Sequence, residues 1–141
     1  MFYSDSPTEI RKPFFESWKK YRARLPLLPL EQQIADVILA HPEYHALLEN
    51  PENEVHLDLP ADTPNPFLHM GLHLAIRDQV ATNRPAGIAA VWKALLTRTG
   101  DALAAEHCMM ESLAECLWQA QRDNAPPDEA RYLEALRALA R

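Results

Sequence analysis

"NPFLHMGLHLAI" (Asn65–Ile76) decides how this chain is read. Asparagine followed by proline is a helix-start signal: the amide side chain accepts from an orphan N–H, and proline at the first helical position has no N–H to lose. The next ten residues carry no Lys, Arg, Asp or Glu and show no period-2 alternation, so the spacing predicts a helix apolar almost all round, extending to about Thr82. Its buried arc is expected to comprise Leu68, Leu72, Ala75, Ile76 and Val80. His69 and His73 are four residues apart, hence on one side and one turn apart, at the edge of that arc. Gly71, between them, costs about 1 kcal/mol relative to Ala in a helix. Close approach of a neighbour or a simple packing gap are the two ways to account for it.

Outward from this helix, every periodic segment reads as helical. Ser6-Pro7 with Glu9 forms a capping box opening a helix over 7–24, which Pro13 should kink or split. A linker, "LPLLP" (25–29), leads to a helix from Pro29 to Ala40. Pro42 begins a short one, "PEYHALLEN". Residues 50–64 read as an irregular loop. Ile88, Val91, Trp92, Leu95 and Leu96 stripe a helix over 86–98 that Gly100 closes. Asp101 caps a helix running to about Asp123, and Tyr132, Leu133, Leu136 and Leu139 stripe the last. The expectation is an all-α, mostly antiparallel bundle of six to seven helices forming one domain over 1–141, with the helices beginning at Pro66 and Ala102 at its centre.

The 141 residues suffice for a real core, and 48% hydrophobic with 24% charged residues is a globular balance. Only 3 glycines and no GxGxxG or GxxxxGK argue against phosphate loops. A net charge of −6 disfavours nonspecific nucleic-acid binding. No apolar run approaches 18 residues, so no membrane span is expected. The N-terminus lacks a basic start followed by an apolar run. Cys108 and Cys116, eight residues apart on one helix, are too distant for a mutual disulfide. Cytoplasmic localisation is the natural expectation.

Three pairs have helical i,i+4 spacing: His41/His45, His69/His73 and His107/Glu111. Inward-facing imidazoles and carboxylates on neighbouring helices are how bundles hold metals. Imidazole suits Zn and Fe, and an added carboxylate extends the range to Mn. His69, His73, His107 and Glu111 are the expected ligands, with His41 or His45 as a further one; Pro42 compromises the first pair by bending the chain between its members. From Leu25 to Ile76 there is no Lys or Arg but there are eight acids and five of the six histidines, a field that welcomes a cation. The plainer reading has structural histidines donating to backbone carbonyls. It leads to a non-catalytic interaction protein, docking a partner through the basic first helix (Lys19, Lys20, Arg22, Arg24) or through the acidic 50–64 loop. No HExxH, CxxC, GxSxG or Glu-x-x-His motif names a reaction.

"HPEYHALLE" (41–49), "NPFLHMGLHLAI" (65–76) and "HCMMESLAECLWQAQRDNAPPDEARYLEALR" (107–137) together resemble a family of short proteobacterial proteins catalogued only as a domain of unknown function. The resemblance covers nearly the whole chain and implies no activity, substrate or cofactor. More distantly, His69-x3-His73 followed by Arg77 and Gln79 looks like a histidine helix of the DinB-like metal-binding bundles. His107-x3-Glu111 beside it is similar to hemerythrin-like bundles. The chain lacks the His-Arg-Gly-Gln run of the first and the Asp five residues after a ligand histidine of the second.

Overall fold

A computed structural model describes residues 7–57, 59 and 64–141, with side chains from Ile10 onward. The described residues form α1 (Pro7–Arg22), α2 (Pro29–Leu39), a 3-10 turn (Pro42–Tyr44), α3 (His45–Glu49), α4 (Asn53–His56), α5 (Pro66–Thr82), α6 (Ile88–Thr99), α7 (Ala102–Arg122) and α8 (Glu129–Ala140), and no strand. The all-α expectation holds. The four-residue α4 lies within the stretch expected to be wholly irregular. The Ser6 capping box lies outside the described residues. No helix among the described residues is long and apolar enough to cross a membrane.

The chain divides into two compact units, Met1–Leu74 and Ala75–Arg141. In the first, α1 packs on α2, α3 and α4. Its core joins Phe14, Phe15 and Trp18 of α1, Ile34, Val37 and Ile38 of α2, Leu48 of α3, and Phe67, Met70 and Leu74 of α5. Phe14 meets Phe67 edge to face at 5.6 Å between centroids, the geometry aromatic quadrupoles favour. Pro13 does not split α1, which is one helix from Pro7 to Arg22. Proline inside a helix costs about 3 kcal/mol, but the two rings that follow it and Trp18 are almost wholly buried. Each such side chain contributes roughly 2–3 kcal/mol, so packing outweighs the lost backbone bond.

The cations of α1 meet the acids of the same unit. Lys20 Nζ lies 2.7 Å from Glu31, Lys19 Nζ 3.7 Å from Glu54, and Arg22 3.7 Å from Glu49. The Lys20 bond, followed by the Leu28 backbone N–H, holds the Glu31 carboxyl below its ordinary range.

In the second unit α6, α7 and α8 pack pairwise, burying Ile88, Val91 and Leu95 against a background of Met109, Met110, Leu113, Tyr132 and Leu136 that are themselves buried. Asp101 accepts from the Leu103 N–H and Asp128 from that of Arg131, so both helices start on a carboxylate cap. Gly100 ends α6 at φ +69°, where a Cβ would be strained. Glu106 is buried and paired with Arg77 at 2.9 Å, and the Tyr132 hydroxyl donates to Gln79 at 2.6 Å.

The buried face of α5 is wider than expected: Leu72 and Ile76 are buried as expected, and Ala75 and Val80 are half-buried. Leu68 is 54% exposed, whereas Phe67, Met70 and Leu74 enter the first unit's core. With that arc, His73 falls on the covered side, one turn beyond Met70 and His69, rather than at a boundary. Gly71 is buried, yet no described atom lies within 4 Å of where its Cβ would stand. A packing gap, not close approach, accounts for it. Gly71→Ala is therefore expected to raise stability by about 0.5–1 kcal/mol through helix propensity. A lower midpoint in urea unfolding would mean that the gap is needed.

Candidate metal site

Three imidazoles of the first unit converge, and each arrives for a local reason. His69 and His73 follow from the i,i+4 spacing of α5, whose start is fixed by Asn65 Oδ1 accepting from the N–H of Phe67 at 2.9 Å and of Leu68 at 3.3 Å. His41 comes from outside any helix. Pro42 bars its residue from helical backbone, α2 stops at Leu39, and His41 sits at φ −128°, ψ 69°. The stop leaves carbonyls of the last turn of α2 in need of donors. His41 Nδ1 donates to Val37 O at 2.7 Å.

That bond selects the tautomer. A carbonyl only accepts, so Nδ1 carries the proton and Nε2 of the neutral ring presents its lone pair. His41 is 2% exposed, and its Nε2 has no hydrogen-bond partner among the described residues. Leaving a buried acceptor unsatisfied costs about 1–3 kcal/mol. The His41 ring lies close to the other two rings. His41 is 4.6 Å from His73 and 5.1 Å from His69 between centroids, and His69 is 4.8 Å from His73. The three rings are tilted against one another by 64–82° rather than stacked, which lets their edges face a common space. Nε2 of His73 and Nε2 of His69 are 3.2 Å apart, and one potential ligand nitrogen from each of the three rings lies within 4.8 Å of the others. Ligands at 2.0–2.1 Å around a tetrahedral zinc would be separated by roughly 3.3 Å, so the α5 pair already has the spacing a shared ion requires.

Tyr44 backs the site. Its ring is parallel to that of His41, at 8° and 5.4 Å, and stands edge-on to His69 at 6.4 Å. Burial, then the Glu43 carboxylate, pushes its phenol above the ordinary range, so it is neutral at physiological pH. No motif in the sequence marks it; only its place one turn of backbone after His41 puts it there.

His45 belongs elsewhere. Its Nε2 donates to Ile38 O at 2.8 Å, and its ring lies 4.5 Å from Trp18. His41 and His45 do not share a helix, and no potential metal-ligand group among the described residues includes His45. His56 is exposed at the end of α4. His107 and Glu111 are exposed residues of α7, in the second unit, and no potential metal-ligand group among the described residues includes Glu111. The expected docking face also changes character. Lys19, Lys20 and Arg22, required to be unpaired for that role, have the carboxylate partners given above.

A family model described as a domain of unknown function (DUF1841) matches residues 6–138. The chain belongs to the DUF1841 family. This bears out the resemblance drawn from the three sequence stretches. No curated protein and no solved structure matches it. The DUF1841 description carries no reaction or ligand, so in this DUF1841 chain a functional reading rests on the histidine cluster itself.

Proposed function

We propose that this protein binds a divalent transition metal through His41, His69 and His73. The observation that carries the reading is the buried His41 ring, whose Nε2 has no hydrogen-bond partner among the described residues, with one of its nitrogens within 4.8 Å of nitrogens of His69 and His73. A metal ion supplies the electron-pair acceptor that no described residue provides. The Val37 carbonyl then plays the part common to bound histidines, fixing the far nitrogen and the ring orientation. Donor chemistry favours zinc or iron. Manganese, included when Glu111 was an expected ligand, is less suited to a set of neutral imidazoles. Three imidazoles leave a tetrahedral ion one position open. The interaction-protein reading takes second place because three of its four cations are already paired.

Zinc titration calorimetry on chelator-stripped protein tests this. His41→Ala, His69→Ala and His73→Ala should each weaken zinc binding by about a hundredfold or more, exceeding the loss typical of outer-shell partners. Wild-type affinity in any two of these variants would sink the site.

A further inference from the structure

We propose that the metal is a staple: it ties the chain at His41 to α5 and thereby holds the intervening residues 42–57 against the first unit. This rests on the reading of the histidine cluster as a metal site. His41 and His69 are 28 positions apart in the sequence. An ion shared between them closes that stretch into a loop, which removes chain entropy from any state in which the stretch is detached.

Residues 42–57 need such a tie. They contain a three-residue 3-10 turn, a five-residue helix and a four-residue helix, all far below the length at which helices hold themselves together in water. Among them Leu48 is the fully buried side chain; Tyr44, Leu47 and Leu57 are half-buried. Their polar anchors to α1 are few and only part-buried or exposed: Arg11 donates to Leu57 O at 2.8 Å, Trp18 Nε1 to Glu49 at 3.2 Å, and Lys19 and Arg22 pair with Glu54 and Glu49 at 3.7 Å each. The segment carries Glu43, Glu49, Glu52 and Glu54 and no Lys or Arg, so its own charges repel. His41 at 2% and His73 at 0% exposure are covered, and His69 is half-buried.

Amide hydrogen exchange by mass spectrometry, with zinc or with EDTA, tests the staple on the full chain, with zinc binding measured in parallel by calorimetry. Zinc should slow exchange across residues 42–57 by at least about tenfold, and leave α6 and α8 unchanged, because local opening free energies move only where the ligand is lost on opening. His41→Ala, which removes the segment's end of the tie, should exchange there in zinc as fast as the wild type does in EDTA. If zinc binds and exchange in 42–57 is unaltered, or slows evenly along the chain, the staple is wrong and the metal site stands. If calorimetry finds no zinc binding, the metal reading and the staple fall together.

Discussion

Restoring zinc to chelator-stripped protein is expected to raise its melting temperature by about ten degrees. A ligand that binds only the native state stabilises it by RT ln(1 + [L]/Kd), which is about 2.7 kcal/mol at a hundredfold excess over Kd. For a chain of this length each kcal/mol is worth roughly 4 °C. The His69→Ala, His73→Ala variant should show no such rise. The two substitutions differ in what they do to the metal-free protein. His69 is half-buried, so its loss is mild, whereas His73 is fully covered and truncating it leaves a cavity costing on the order of 2–4 kcal/mol. The informative quantity is therefore the zinc-induced shift within each variant, not the midpoint itself. Equal shifts in wild type and variant would make these imidazoles packing residues that happen to meet.

Phe14→Ala is expected to lower stability by about 3–5 kcal/mol, the range for truncating a fully buried phenylalanine. Its ring has no exposure and lies edge-on to Phe67, near the start of α5. Against a total of 5–15 kcal/mol for a typical domain, this is a large share. Phe67 lies two residues before His69, so the cavity also loosens the turn that aims the first ligand of α5. Zinc affinity should fall although no ligand has been touched. Urea unfolding and zinc titration of the same variant check both parts, with Phe14→Leu, which keeps most of the volume, as the milder partner. A loss below about 1 kcal/mol would show that the core does not depend on this contact.

Where helices begin and end was legible because caps act locally. Asn65, Asp101 and Gly100 do in the structure what their types and positions require. The His69/His73 pair was legible for the same reason, since i,i+4 spacing is a property of one helix. The rest depended on tertiary choices. A stretch apolar nearly all round can bury more than one arc; Leu72 and Ile76 are covered as read, but Phe67, Met70 and Leu74 are covered as well, and that widening takes His73 from the boundary to the interior. His41 and His45 looked equivalent in sequence. Pro42 separates them by ending regular helix before it, and each imidazole then takes a different carbonyl of α2. The lone pair left on His41 Nε2 has no sequence signature at all. Four residues are too few for periodicity, which is why α4 was read as loop. Pro13 was overweighted because the backbone cost is local and visible, whereas the compensating burial of Phe14, Phe15 and Trp18 is not.

Trp18 has a use beyond packing. It is the sole indole of the first unit; the other two, Trp92 and Trp118, lie in the second. Buried among phenylalanines and isoleucines, with its ring against His45 and its N–H on Glu49, it emits from surroundings that vanish on unfolding. Replacing Trp92 and Trp118 by Phe would leave a chain whose fluorescence speaks for one unit, while its far-ultraviolet dichroism speaks for every helix. Whether the halves melt as one cooperative body then becomes a comparison of two optical traces from a single cuvette.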